Sequence, residues 1–225
     1  MIREQKGGPF GWVLDQYITR KFRSAFRGLW VRGTLPTGDA GRLVYLNHCN
    51  WWDGFMLHQL SRAADWDAYC LMEEENLQRY RFLARIGAFS IRRKDAVSSV
   101  ESLRYAKELL RRPRAALYVF PEGEHRPFGV FPLKLERGVE LLAKVSKVEC
   151  VPIGVRYAFF EHERPDVLLE VGTPHPPGPM SLFQDGLEAV VQRVAAATSL
   201  DGFTRKVAGA RGVAERWDSA RGLAP

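Results

Sequence analysis

The amino-acid sequence predicts an α/β fold: a single domain with a mostly central mixed β-sheet flanked by helices, preceded by a basic amphipathic N-terminal helix. Three observations predict it. Short apolar runs such as residues 43–46 and 115–120 read as buried strands. They alternate with longer segments of helical character, the pattern of helices packed on the faces of a sheet. The first 34 residues combine apolar side chains at helical spacing with clustered Lys and Arg. At 225 residues with 46% apolar side chains, the chain can build one full core and is not disordered.

In residues 1–34, seven Lys or Arg face two acids, net +5 of the chain's +7. Trp12, Val13, Leu14, Tyr17, Ile18, Phe22, Phe26, Leu29 and Trp30 recur at helical spacing, with Arg20, Lys21, Arg23 and Arg27 largely between them. A basic helix rich in Trp and Phe suits a membrane interface, and each cation near an anionic leaflet adds about 1 kcal/mol. The plainer alternative is a terminal helix packed on the core with a solvated basic face. Gly28 suggests a bend before Leu29.

Residues 43–46 form a buried strand, and Asp53 opens a helix through Leu60, where a carboxylate suits the N-cap and the positive helix end. Residues 65–71 read as a strand, 75–86 as an amphipathic helix, and 96–112 as a helix stopped by Pro113. The strand 115–120 ends at Pro121, which cannot donate to a ladder. A helix over 136–145 and strands over 148–157 and 167–171 follow. Residues 172–179 are a proline-rich loop, Ser181 caps a helix to about residue 197, and residues from 200 onward form a short helix with a frayed end.

Two short motifs some seventy residues apart carry the chemistry. The first, Asn47-His48-Cys49-Asn50-Trp51-Trp52-Asp53, places a histidine five residues before an aspartate in the loop leaving a strand. A loop folding back there brings Asp53 to the far ring nitrogen of His48, fixing the tautomer and stabilising the imidazolium formed when His48 takes a proton. Taken alone, this spacing is equally a loop histidine before a helix cap. The second motif, Phe120-Pro121-Glu122-Gly123-Glu124-His125-Arg126, sets Glu122 and Gly123 at a strand's carboxyl edge, where α/β sheets build their sites. Alone, it is an ordinary strand exit.

Together these residues resemble the glycerolphosphate and lysophospholipid acyltransferase superfamily. Its N-H-x₄-D motif is matched by Asn47, His48 and Asp53, and its F-P-E-G motif by Phe120 to Gly123. G-x-x-F-I-x-R is matched by Gly87, Ile91 and Arg93, with Ser90 in place of phenylalanine. The V-P-[IV] strand is matched by Val151-Pro152-Ile153. All four occur in the family's order, across roughly residues 25–175.

The resemblance implies an O-acyltransferase domain over residues 35–225, with His48 as base and Asp53 as its partner. The acyl group would pass from acyl-CoA or acyl-carrier protein to a lipid hydroxyl, with 1-acylglycerol-3-phosphate or a related lysolipid as the leading acceptor. It also implies that Arg93, with Arg126 substituting for the family's second arginine, holds the acceptor's phosphate. Glu122 and Gly123 would orient the acceptor or shape the loop. Asn50, or backbone N–H groups after His48, are the oxyanion donors expected. The family's hydroxyl residue and arginine are replaced here by Glu124 and His125, with arginine one place later at Arg126. A phosphate-free or glycosylated acceptor, such as a terpenoid glycoside, is therefore a second expectation. A lipid hydrolase and a non-catalytic membrane-binding protein are the rivals from other classes.

No metal or resident cofactor is expected. Cys49, Cys70 and Cys150 have no metal spacing, and their odd number suits a reducing compartment. Cys49 as a nucleophile is disfavoured because adjacent residues rarely aim at one point. His58 is expected to be structural, His162 and His175 solvent-facing, and His125 to lie beside the site. No apolar run reaches the roughly 18 residues of a membrane span and no signal-peptide pattern opens the chain, so the expectation is a cytoplasmic, peripheral enzyme on anionic lipid. The basic run Arg79, Arg81, Arg85, Arg92, Arg93 and Lys94 suits phosphate or membrane contact. Nucleic acid is not expected as a partner, since no helix-turn-helix, zinc-finger or RNA-binding signature accompanies the basic pI.

Overall fold

Strand β2 (Arg42–Leu46), buried at every position, lies at the middle of the fold. The computed structural model describes residues 1–93 and 95–222; Lys94 of the basic run and the last three residues lie outside the described residues. The elements run α1 (Gly8–Ala25), β1 (Gly28–Arg32), β2, α2 (Asp53–Ala64), β3 (Asp67–Glu73), α3 (Glu74–Arg79), a 3₁₀ turn (Arg81–Ile86), β4 (Ala88–Ile91) and α4 (Ala96–Leu109). Then come β5 (Ala115–Val119), α5 (Gly138–Ser146), β6 (Glu149–Ala158), β7 (Asp166–Val171), α6 (Met180–Ala195), β8 (Thr204–Ala208) and α7 (Val213–Ala220).

One eight-stranded sheet has the order β4-β3-β5-β2-β6-β7-β1-β8. The five strands from β4 to β6 are mutually parallel, whereas β7 runs antiparallel to β6 and β8 antiparallel to β1. The sheet is therefore mixed, as expected. Its parallel half presents five carboxyl ends at one edge, where a doubly covered sheet can build a site.

The two faces read directly from β2. Leu43 and Tyr45 point into a cluster with Leu109 of α4, Leu142 of α5 and Phe183 of α6. Val44 and Leu46 point the other way, to Phe22 of α1 and Met56 and Leu60 of α2. A strand buried on both faces cannot alternate polar with apolar residues, which is why 43–46 is continuously apolar.

Helix α1 buries Leu14, Ile18 and Phe22, the last against the sheet, and leaves Phe10, Trp12, Val13 and Tyr17 more than half exposed. It stops at Ala25. The helical spacing read through Leu29 and Trp30 is corrected here: these residues lie in β1, between β7 and β8, with Leu29 and Val31 buried. The boundary drawn after residue 34 thus follows a strand of the sheet. No described helix is long and apolar enough to cross a membrane.

Further differences are local. The helix expected over 75–86 breaks at Tyr80, so that Leu77 and Ala84 both reach a small cluster with Ala88. Ser181 does not cap α6, which starts at Met180 behind Pro179. The tail adds β8 before its helix, an edge strand with only Val207 buried, whose exposed Arg205 and Lys206 discourage pairing with another chain. His175 is not solvent-facing: its Nε2 lies 2.8 Å from the hydroxyl of buried Tyr45, and its ring meets Phe183 edge-on. His58 is structural as expected, joining α2 to α1 through Asp15 at 2.7 Å.

The junction of α1 with the sheet is pinned by Asp166, fully buried, which accepts from Arg27 Nε at 3.0 Å and Trp30 Nε1 at 2.6 Å. Replacing Asp166 with alanine leaves the Arg27 guanidinium, whose side chain is only 13% exposed, with Glu215 at 3.4 Å as its remaining carboxylate. A destabilisation of about 3 kcal/mol is expected, read as a lower urea midpoint at unchanged slope; a loss below about 1 kcal/mol would contradict this anchor.

Candidate active site

The motifs meet because their strands end together. β2 leads into Asn47-His48, β5 into Phe120-Pro121-Glu122 and β4 into Arg93, all at the same carboxyl edge. Asn47 ties the first loop to β6 by a reciprocal pair: its Nδ2 donates to the Val155 carbonyl at 3.0 Å, and Val155 N–H donates to its Oδ1 at 2.7 Å.

Asp53, fully buried, organises the loop. His48 Nδ1 lies 2.7 Å from Oδ2, which also accepts the backbone N–H groups of Cys49 and Asn50 at 3.1 Å. Oδ1 accepts from the Tyr157 hydroxyl at 2.7 Å. Asp53 therefore serves the loop amides rather than the free N–H groups of its own helix, the N-cap role expected of it. A buried charge that fills its lone pairs in this way avoids the usual desolvation penalty. Tyr157, buried beside this carboxylate, has its pKa raised well above the phenol range, so its hydroxyl keeps its proton and donates.

His48 is also held by its faces. Phe120 stacks on it at 4.0 Å between centroids and His125 at 3.7 Å. Two rings that close would collide if they shared a face, so the imidazole is sandwiched and approached by its edge. With Nδ1 facing Asp53, Nε2 is the nitrogen left for chemistry. Burial and the neighbouring His48 lower the pKa of His125, favouring its neutral form.

The two motif loops are stitched together by backbone. His48 N–H donates to Glu122 Oε2 at 3.1 Å, and Arg126 N–H donates to the His48 carbonyl at 2.8 Å. Burial raises the Glu122 pKa, opposed by that N–H and by Arg126. Gly123 has φ of +74°, and a Cβ there would lie 2.6 Å from Arg93 Nη1 and 2.7 Å from Glu136 Oε1. Only glycine permits both the turn and that approach. Gly87 has a similar reason at φ +109°, where a Cβ would meet the Ala68 carbonyl at 2.3 Å.

All seven residues singled out from the sequence gather at this edge, with different partners than expected for some. Arg93 donates to Glu73 at 2.6 Å and to Glu136 at 2.8 Å; Arg126 pairs with Glu124 at 2.8 Å and lies 3.9 Å from Glu122. The backbone oxyanion donors expected after His48 are narrowed: the N–H groups of Cys49 and Asn50 are consumed by Asp53 and that of Trp52 by Asn50 Oδ1, and the N–H of His48 itself goes to Glu122. Asn50 Oδ1 caps Trp52 N–H at 3.1 Å, leaving the Asn50 amide nitrogen and the Trp51 N–H as donors of this loop. Sequence reasoning missed Tyr157 and the stacking role of His125. The run through Val151-Pro152-Ile153 pointed to β6 but not to a hydroxyl four residues further on.

His48, Asp53 and His125 are the described residues whose ligand atoms lie close enough, within 4.8 Å, to converge on a cation. Such an ion would have to displace donors already on Asp53. The thiols are poor nucleophiles: burial, with Asp53 and Glu122 nearby, pushes Cys49 up to about 12, and burial pushes Cys70 and Cys150 up to about 12. Ellman's reagent at neutral pH is expected to titrate them only after denaturation; rapid labelling of Cys49 in the native protein would contradict this environment.

Comparison with known proteins fits this geometry. A family model described as Acyltransferase matches residues 31–156, a span containing all four motifs. The 1-acyl-sn-glycerophosphate (LPA) acyltransferase PlsC from Thermotoga maritima superposes with a TM-score of 0.50 at 18% identity, covering 82% of this chain and 75% of that one. That likeness is one of fold. A search of curated proteins gave no significant match.

Proposed function

The chain belongs to the acyltransferase family, and from that premise we propose that it transfers a fatty acyl group from acyl-CoA or acyl-carrier protein to a lipid hydroxyl at a membrane surface. The observation that carries the reading is the Asp53-bound, sandwiched His48 at the edge where the parallel strands end.

In this mechanism the acceptor hydroxyl lies at His48 Nε2, which removes its proton as the oxygen attacks the thioester carbonyl. Asp53 stabilises the imidazolium, and Tyr157 and the loop amides hold Asp53 in place. The Asn50 amide nitrogen and the Trp51 N–H are the donors this loop offers to the tetrahedral oxyanion. Collapse breaks the carbon–sulfur bond, and the thiolate leaves with the proton from His48. The products are an ester and a free thiol; no step calls for a metal or resident cofactor. The resemblance to phospholipid-synthesising enzymes supports a lipid with a free hydroxyl as the acceptor class, with 1-acylglycerol-3-phosphate as the member to compare others against. Arg93, Glu122, Gly123 and Arg126 form the wall against which its headgroup would lie.

Membrane contact is part of the same proposal. Phe10, Trp12, Val13 and Tyr17 project from α1, and Trp51, 67% exposed, stands at the start of α2 beside it. Amphipathic rings next to Arg20, Lys21 and Arg23 suit the headgroup region of anionic lipid.

Two measurements test the proposal. His48→Ala is expected to lower thioester consumption by about 10²–10⁴-fold with an unchanged circular dichroism spectrum. Retained turnover, or release of free fatty acid without ester, would refute acyl transfer by this residue. Trp12→Ser with Tyr17→Ser is expected to weaken co-sedimentation with phosphatidylglycerol vesicles by roughly tenfold or more; unchanged binding would exclude α1 as the docking face.

A further inference from the structure

We infer that the acceptor carries an uncharged polyol headgroup rather than a phosphate, because Arg93 is hydrogen-bonded to two carboxylates and Arg126 lies against two more. This inference rests on the acyl-transfer reading and names the substrate class of that same site.

A phosphate is recognised by guanidinium edges free to fork onto its oxygens. Arg93 donates its Nε to Glu73 and its Nη1 to Glu136, while Arg126 is ion-paired through Nη2 with Glu124 at 2.8 Å and keeps its buried Nε without a hydrogen-bond partner. With Glu122 Oε1 at 3.9 Å from Arg126, four carboxyl groups lie against the two guanidiniums. A phosphate must displace these partners and then sit beside them.

The pairing is built into the turn. Glu136 is fixed next to the motif because its N–H donates to the Pro121 carbonyl at 2.7 Å. Gly123 leaves open the space into which Glu136 and Arg93 close. Glu124 stands where the resembling family carries a small hydroxyl residue, so the chain supplies an anion beside the arginine of its own loop.

The same wall suits hydroxyl groups. Carboxylate oxygens accept from vicinal hydroxyls, and a neutral headgroup brings no charge to be repelled. His125, packed against the His48 ring, adds an exposed imidazole at the site. Glu73, Glu124 and Glu136 are then specificity-determining, and the headgroup is glycerol or a sugar.

The test is a competition. The full-length protein is given oleoyl-CoA and phosphatidylcholine vesicles holding equal amounts of lysophosphatidate, monoacylglycerol and an alkyl glucoside, with products identified by mass. Esterification of monoacylglycerol or the glucoside is expected to outpace that of lysophosphatidate by roughly tenfold or more. Glu73→Gln with Glu136→Gln, which leaves Arg93 without charged partners, is expected to shift the ratio toward lysophosphatidate. Lysophosphatidate consumed fastest by the unaltered protein overturns the inference while leaving acyl transfer intact. Thiol release with none of the three esterified, or no thiol release at all, removes the acyl-transfer reading and the inference together.

Discussion

Everything at this edge of the sheet depends on one buried carboxylate having its lone pairs filled. Asp53 collects a ring nitrogen, two backbone amides and a phenol, and each of those bonds also fixes something else. The amides set the curvature of the loop from Asn47 to Trp52. The phenol ties the loop to β6, and the ring nitrogen decides which edge of His48 is left open. A buried anion lacking these donors would cost several kcal/mol, so the loop has little freedom to relax. The sandwich of Phe120 and His125 then removes the remaining rotation of the ring.

The sheet explains why residues far apart in sequence supply this arrangement. Five parallel strands place their carboxyl ends side by side, so the exits of β2, β4 and β5 become neighbours without any long loop. Asn47 and Tyr157 both act on β6, one through backbone and one through Asp53, and this locks the first loop to the strand beside it. Belonging to the acyltransferase family accounts for the shared frame. On that frame Arg93 and Arg126 each meet carboxylates of their own chain.

Much of this was legible in the sequence, for a physical reason. The His48/Asp53 contact spans five residues of one loop, and the strands at 43–46 and 115–120 are apolar throughout because both faces are covered. Tyr157 was not legible because its contact with Asp53 spans 104 residues and nothing local marks it. β1 was hidden because Leu29 and Trp30 continue the helical spacing of α1, and only pairing with β7 and β8 reveals the change of period. β8 was hidden because an edge strand with one buried residue carries almost no alternation. His175 read as a loop histidine, yet a β-bridge between it and Cys150 carries it to Tyr45. In each case the deciding interaction lies between segments distant in sequence.

The central claim is that Asp53 holds His48 with its proton on Nδ1, leaving Nε2 as the base. Long-range ¹H–¹⁵N correlation of the histidine rings, at a pH where His48 is neutral, measures this directly. The account expects the His48 Nδ1–H tautomer, lost or mixed in Asp53→Asn. A neutral His48 protonated on Nε2, or a tautomer indifferent to that substitution, would contradict it.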